Sequence, residues 1–230
     1  MKQEDEFSTS ATLPVPRTKE EAKQLYDRIS RYYDFLTAAF EAKHAQRALE
    51  RLSIEQGETV LEIGFGTGRC LQRIVEQVGQ TGKAHGIDIS SGMLEVTRRR
   101  LERSGLIDRA QLQRGDASAL PYQANTFDAV FMSFTLELFD TPEIPQVLQE
   151  VNRVLRPGGR LGIASMSKEN GRSLLLRLYE WAHRRWPKYL DCRPIYVEQS
   201  LRGAGYQITR KEKLRLFGLP TEIVVAVKTG

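Results

Sequence analysis

Residues 60–71 read VLEIGFGTGRCL: an apolar run carrying one carboxylate, Glu62, then Gly64, Gly66 and Gly68 at alternate positions, then a helical pattern. Glycines at a strand-to-helix turn let a ligand lie directly against the backbone. Two phosphate cradles are excluded by spacing. The dinucleotide fingerprint is G-x-G-x-x-G, and here the third glycine arrives one residue early; a P-loop needs Gly-Lys-Ser/Thr, and here Gly68 is followed by Arg69-Cys70. Glu62 beside a helix amino terminus would oppose a pyrophosphate and favour a ligand with positive charge. Asp88 closes the next apolar run, where an acid can accept hydrogen bonds from both hydroxyls of a ribose. Together the two acids describe a nucleoside without phosphates that carries an amine or a sulfonium.

Such residues need rigid strands ending side by side, and the chain supplies them. Short runs rich in Val, Ile and Phe (TVLEI, KAHGIDI, AQLQRG, FDAVFMS, GRLGIAS) alternate with helical stretches near 68–78, 91–104 and 143–155, the last stopped by Arg156-Pro157-Gly158-Gly159. Alternation of this kind predicts βαβ units and a parallel sheet covered on both faces. YQITRKEKLRLF and EIVVAVK are separated only by Gly218-Leu219-Pro220-Thr221, which is too short for a parallel crossover and suits a hairpin. The expected fold is therefore α/β: a doubly wound, mostly parallel, seven-stranded sheet ending in an antiparallel hairpin. Ahead of it, Leu25, Ile29, Tyr32, Tyr33, Leu36 and Phe40 recur at helical spacing, predicting two helices or one bent helix. The expected organisation is a flexible tail over 1–18, a helical cap over 19–52 and a ligand-binding domain over 53–230.

Composition narrows the class without choosing a function. At 230 residues, 40% hydrophobic and 27% charged, the chain suits a single globular domain. No apolar run approaches the ~20 residues of a membrane span. The first ten residues, MKQEDEFSTS, are acidic and polar where a signal peptide is basic and then apolar, so a cytoplasmic protein is expected. Cys70 and Cys192 make no disulfide framework, and His44, His85 and His183 show no metal-ligand spacing; no metal is expected. A net charge of +5 and arginine clusters at Arg98, Arg99, Arg100 and Arg103 and around 172–188 suit an anionic partner, although such runs are more often solvated helix faces.

VLEIGFGTG, GIDISSGML, RGDASALPYQANTFDAVFMSFTLELF and RVLRPGGRLGI, in that order, resemble the successive motifs of the class I S-adenosylmethionine-dependent methyltransferases over roughly residues 55–228. The resemblance implies a Rossmann-like methyltransferase fold with S-adenosylmethionine as cofactor. Glu62 would approach the methionine amino group, and Gly64, Phe65, Gly66, Thr67 and Gly68 would form the loop along the methionine and ribose. Asp88 would hold the ribose hydroxyls, with Ile89 and Met93 against the adenine, Asp116 near its amino group and Ala117 beside the ring. Ser133 and Phe134 would face the sulfonium and the incoming acceptor. Each has a plainer reading: Glu62 or Asp88 as a capping acid, Asp116 as a turn initiator, Met93 as core.

The acceptor is expected to be small and lipophilic, quinone-like or lipid. The leading helices carry an excess of aromatics, Tyr26, Tyr32, Tyr33, Phe35 and Phe40, that would roof an apolar pocket, and Trp181 is a further substrate-binding candidate. Residues 172–188, rich in Leu, Trp and Arg, read as a lid, a peripheral membrane contact, or a packed helix with a solvated basic face. Methyl transfer from a sulfonium mainly requires alignment and exclusion of water. Where a proton must leave, Glu137, Tyr33 and Asp34 are the catalytic candidates, each with a packing or capping role as the plainer reading. RYYDFLTAAF, ALPYQANTFDAV and RVLRPGG are similar to segments of the menaquinone and ubiquinone C-methyltransferases. The chain departs from that group in lacking Gly-x-His-Arg after Tyr33-Asp34 and in placing Leu138 where many relatives have a histidine. The alternatives are a nucleic-acid (RNA) methyltransferase and a noncatalytic cofactor-binding subunit. Nucleic acid is disfavoured, because MSFT stands where base-modifying relatives carry Asn/Asp-Pro-Pro-aromatic. Nothing in the sequence specifies an oligomeric state.

Overall fold

The computed structural model describes residues 15, 18–36, 38–168, 174–185 and 192–229, with the side chains of 29–41, 174 and 184 outside that description. Two helices lead, α1 (Lys19–Leu36) and α2 (Ala38–Leu52). The alternating core follows: β1 (Thr59–Ile63), α3 (Arg69–Val78), β2 (Lys83–Asp88), α4 (Ser91–Arg103), β3 (Ala110–Arg114), β4 (Phe127–Ser133), α5 (Ile144–Val154) and β5 (Leu155–Met166). Last come α6 (Leu174–Arg185), α7 (Val197–Gly203), β6 (Tyr206–Leu216) and β7 (Leu219–Lys228). The sheet order is β3-β2-β1-β4-β5-β7-β6. Strands β1 to β5 pair in parallel and β7 runs antiparallel to both β5 and β6. Chain direction across the sheet reverses between β1 and β4, which opens a crevice beyond their carboxyl ends.

Strands β1 and β4 are apolar nearly throughout because both of their faces are covered. Leu61, Ile63, Val130 and Met132 join α5 and α7 in one core, while Val60, Ala129 and Phe131 join α2 and α3 in the other. At about 25 cal/mol per Å² of buried apolar surface, these two layers are the main source of stability. The rigid crevice above them depends on it.

Two boundaries differ from the sequence reading. Arg156-Pro157-Gly158-Gly159 does not separate α5 from β5; it is a bulge inside β5, where the register jumps from Phe127↔Leu155 to Ala129↔Arg160. Proline is tolerated there because a bulge leaves ladder positions unpaired. The hairpin turn is Phe217-Gly218 alone, since Leu216 already pairs with Leu219. Helix α1 starts at Lys19, as expected, and opens on a capping box. The Thr18 N–H donates to Glu21 Oε2 (2.8 Å) and the Glu21 N–H donates to Thr18 Oγ1 (3.2 Å).

Candidate active site

The glycine loop after β1 shows what each glycine accommodates. A Cβ on Gly64 would stand 2.5 Å from the Thr135 side chain, and one on Gly68 would stand 2.5 Å from that of Thr97. Both positions are kept bare by the protein's own packing. At Gly66, with φ +52°, a Cβ would meet nothing within 4 Å, although the residue lines the cavity. Only there is the space beside the backbone left to a ligand. The loop is braced around this opening: the Gly66 N–H donates to Asp88 Oδ2 (2.9 Å), the Thr97 hydroxyl donates to the Gly66 carbonyl (2.8 Å) and Arg100 Nε donates to the Thr67 carbonyl (2.7 Å).

The cavity beyond the strand ends holds about 540 Å³ and takes Glu62, Gly64, Phe65, Gly66, Thr67, Asp88, Ile89, Met93, Asp116, Ala117, Ser133, Phe134 and Tyr26 into its wall. Gly68 is not part of that wall; it caps α3 in the left-handed region and admits Thr97. Glu62 is buried, and its Oε2 meets no hydrogen-bond partner. Burial first, and the neighbouring Asp88 charge second, hold its carboxyl well above the usual range. Burial likewise pushes Asp88 up to about 6, against the Ser90 and Gly66 amides that pull it down. A buried carboxylate oxygen without a partner is costly, so Glu62 favours a cation in this cavity, while Asp88, already held by two amides, adds negative charge beside it. The methionine ammonium of S-adenosylmethionine fits Glu62, and the remaining lone pairs of Asp88 fit a ribose.

The helical cap is tied down by polar contacts. Lys19 Nζ bridges Asp116 Oδ2 (2.6 Å) and Glu143 Oε1 (2.7 Å). Asp27 accepts from the Ser90 hydroxyl (2.6 Å) and the Gly92 N–H (2.8 Å), closing the amino end of α4. Burial alone would lower Lys19; the two acids outweigh it and hold it above its ordinary value. Asp116 therefore lines the cavity with one oxygen engaged by Lys19, while its Oδ1 accepts from the Ser118 N–H (2.9 Å), as in an Asx turn. Lys19 and Asp27 were missed in the sequence because they belong to a polar helix face with no motif. Val15 also reaches this wall, its N–H donating to Asp140 Oδ1 (3.2 Å).

An apolar part of the wall comes from Ala42 and Ala45 of α2 and from Leu138, Phe139 and Pro142 of the loop after β4, beside the polar Arg69, Thr135 and Asp140. Two buried groups set that loop. Glu137 Oε1 accepts from the Met166 N–H (3.1 Å), and Arg193 donates to Thr141 Oγ1 (2.9 Å) and to the Phe139 carbonyl. Glu137 is thus under the loop and not in the cavity wall, which departs from its candidacy as a proton acceptor. Trp181 is 52% exposed on α6 and is not in the wall either. The side chains of Tyr33 and Asp34 lie outside the described residues, as do those of Tyr32, Phe35 and Phe40. His44 went unremarked as a site residue. Its ring stands edge-on to Phe134 with centroids 6.3 Å apart, and both ring nitrogens are buried without a partner. The available signal was its position four residues before Ala48 and eight before Leu52, on the buried face of α2. Among the described residues no group of His, Cys, Asp and Glu is arranged to hold a metal ion.

Comparison with known proteins agrees with this geometry. A methyltransferase-domain family model matches residues 60–159. The chain is 33% identical over 196 residues to a demethylmenaquinone methyltransferase of Symbiobacterium thermophilum, covering 83% of this chain and 76% of the relative. Among solved structures, the [4+2]-cyclase SpnF is similar with a TM-score of 0.76 at 20% identity, over 94% of this chain and 98% of that one. A SAM-dependent methyltransferase from Aquifex aeolicus is similar with a TM-score of 0.62 at 22% identity, over 93% and 100%. At those identities the structures speak for the fold alone, and a cyclase among them shows that this fold hosts more than one reaction. The sequence relative, together with a cavity whose orphaned carboxyl awaits a cation, places the chain in the class I S-adenosylmethionine-dependent methyltransferases, in the branch that holds the demethylmenaquinone methyltransferases.

Proposed function

We propose that the protein methylates a small, lipophilic, quinone-like acceptor held between the helical cap and the loop after β4. The observation that carries this reading is one cavity whose wall joins two acids, Glu62 and Asp88, and an open glycine with the apolar side chains of Ala42, Ala45, Phe134, Leu138 and Phe139. The sequence relative supports a quinone as the acceptor class.

When bound, S-adenosylmethionine supplies an electrophilic methyl group on a positively charged sulfur. Glu62 and Asp88 would hold the cofactor by its amine and its ribose, and Ile89, Met93 and Ala117, which share the cavity wall with them, would meet the base. Ser133 and Phe134 end β4 where the two halves of the cavity meet, and Phe134 is held at φ +50°, a conformation that costs a non-glycine residue on the order of 1 kcal/mol. That turn aims the aromatic ring into the cavity. The cap excludes water, which leaves alignment as the chief catalytic contribution.

The test is incubation with methyl-labelled cofactor and a short-chain demethylated naphthoquinol. Label in the quinol, lost in Glu62→Gln, is expected. Label appearing only in added RNA or protein would overturn the acceptor while leaving the cofactor site standing.

A further inference from the structure

Helix α1 forms one side of the cavity, with Thr18, Lys19, Ala22 and Tyr26 in the wall. It is tied to both layers of the fold. In its first turn Lys19 Nζ meets Asp116 Oδ2 (2.6 Å) and the Ser118 hydroxyl (3.2 Å) after β3, and Glu143 Oε1 (2.7 Å) ahead of α5. Ala117 and Ile144, beside those acids, belong to the core of the α5 layer. Further along α1, Asp27 accepts from the Ser90 hydroxyl and the Gly92 N–H at α4, whose Met93 and Leu101 belong to the opposite core. The helix therefore lies across the carboxyl edge of the sheet, sharing the cavity with the strand ends that carry Glu62 and Asp88.

These ties differ in what it takes to break them. The Lys19, Asp116 and Glu143 side chains are 39%, 33% and 34% exposed. Ion pairs in that setting are screened by water and salt and hold weakly. The loop after β4 is instead fixed from beneath by Glu137 and Arg193, both fully buried, through the Met166 N–H, Thr141 Oγ1 and the Phe139 carbonyl. Moving it would take partners from a buried carboxyl and a buried guanidinium, a far larger cost. Asp116 is likewise held in its own turn by the Ser118 N–H. At the other anchor, a backbone N–H and the positive end of the α4 dipole both favour Asp27. The first turn of α1 is thus the tie that opens at least cost.

Lys19 is poorly suited to touch the cofactor itself. An ammonium repels a sulfonium, and this one is already engaged by two carboxylates. Its part is to hold the helix in place. We propose that Lys19 is a positioning residue for the transfer reaction: paired with Asp116 and Glu143, it latches the first turn of α1 over the bound cofactor, and release of that latch sets the rate at which cofactor enters and demethylated cofactor leaves. The proposal rests on the reading of this cavity as the cofactor site. Latched, the helix keeps water from the sulfur and its methyl group; unlatched, it lets the ligand pass.

The latch can be weakened without touching the acids below it. Lys19→Met keeps most of the apolar stem and removes the ammonium, leaving Asp116 and Glu143 with no cation from α1 to share. The open form then gains relative to the closed one. S-adenosylhomocysteine is the suitable probe because its ammonium and carboxylate cancel, so salt acts on the ion pairs of the protein and little on the approach of the ligand. No acceptor is needed, and the outcome is independent of which acceptor the enzyme takes.

The experiment measures association and dissociation rates of S-adenosylhomocysteine on the full chain by surface-binding kinetics, at low and high salt. For the wild type, both rates should rise with salt. In Lys19→Met both should be about three- to tenfold faster at low salt and indifferent to salt, with the dissociation constant within about threefold of the wild type. Glu143→Gln, which removes one arm of the latch, should give a smaller change in the same direction. Lys19→Arg keeps the charge and should restore slow, salt-sensitive exchange, a rescue that a side chain serving only the fold would not show. Unchanged rates in Lys19→Met, or the same salt dependence in that variant as in the wild type, would overturn the latch. So would a loss of affinity with no gain in association rate, which would make Lys19 a direct ligand. A wild type that binds no S-adenosylhomocysteine would overturn the latch together with the reading of the cavity on which it rests.

Discussion

The two halves of the cavity are built on different physical terms. On the proposed cofactor side, each position asks for one residue type: Gly66, where no protein atom fills the space beside the backbone, and Glu62 and Asp88, two carboxyls that burial holds above their usual range. On the acceptor side, Ala42, Ala45, Leu138 and Phe139 contribute volume and dryness, and many apolar residues would do. Polar recognition is written in identity and spacing; apolar recognition is written in shape, which several sequences share.

Removing charge from the cofactor side is the strongest way to break that contrast. Glu62→Gln keeps the shape and loses the anion. Cofactor affinity should fall by about ten- to a hundredfold, from the 1.5–3 kcal/mol of a charged hydrogen bond. Calorimetry would measure it. The apo protein should at the same time become no less stable, because the acid it loses is one that burial holds above its usual range. A variant that lost affinity and stability together would mean that Glu62 is a structural acid.

Within the glycine loop the contrast can be sharpened at two neighbouring sites. Gly68→Ala drives a methyl into Thr97 at a backbone angle of +78°, and a destabilisation of about 2–3 kcal/mol is expected in denaturant melts. Gly66→Ala meets no protein atom, so its cost in stability should be only the ~1 kcal/mol of the left-handed angle. Its larger effect should be on cofactor binding. Equal binding losses for the two would show that the loop responds as a unit and that the vacancy at Gly66 has no special part.

This difference explains what could be read from the chain. TVLEI and FDAVFMS announce their strands because both faces are buried, and Glu62, Asp88 and the three glycines stand at the strand ends where the topology needs them. Which glycine serves the ligand was not legible, because Thr97 and Thr135, which crowd the other two, lie about thirty and seventy residues further on. Lys19 and Arg193 were illegible for the same reason: each acts on a loop remote in sequence, from a segment whose local pattern says only helix or turn. Arg156-Pro157-Gly158-Gly159 misled by composition, since a bulge and a loop ask for the same residues.

Acidity offers a milder probe of the same pair. Asp88 titrates near 6 when folded, above its ordinary value of 3.8, so the native state holds the extra proton between those values. The contribution of Asp88 to stability therefore falls as pH rises through that window, and between pH 5 and 7 the loss is about 1 kcal/mol. His85 acts in the opposite direction, because burial lowers it and acidification must charge it against the fold. The comparison that isolates Asp88 is thus wild type against Asp88→Asn. The gap between their melting temperatures should change across pH 5–7 in the apo state. Saturating cofactor, which binds the ionised acid, should shift that titration below pH 5.

The acceptor side should yield the smallest effect. Leu138→Ala removes apolar wall from a half-buried side chain that no described polar group depends on. A rise of about threefold to tenfold in the acceptor KM is expected, near 1 kcal/mol of lost burial, with kcat and cofactor affinity little changed. Steady-state kinetics with two quinols of different tail length would locate the loss, since a wall that holds the ring penalises both equally and a wall that holds the tail penalises only the longer. A collapse of kcat instead would mean that Leu138 sets the approach of the acceptor to the methyl group, and that this half of the cavity demands as exact a fit as the half that carries the acids.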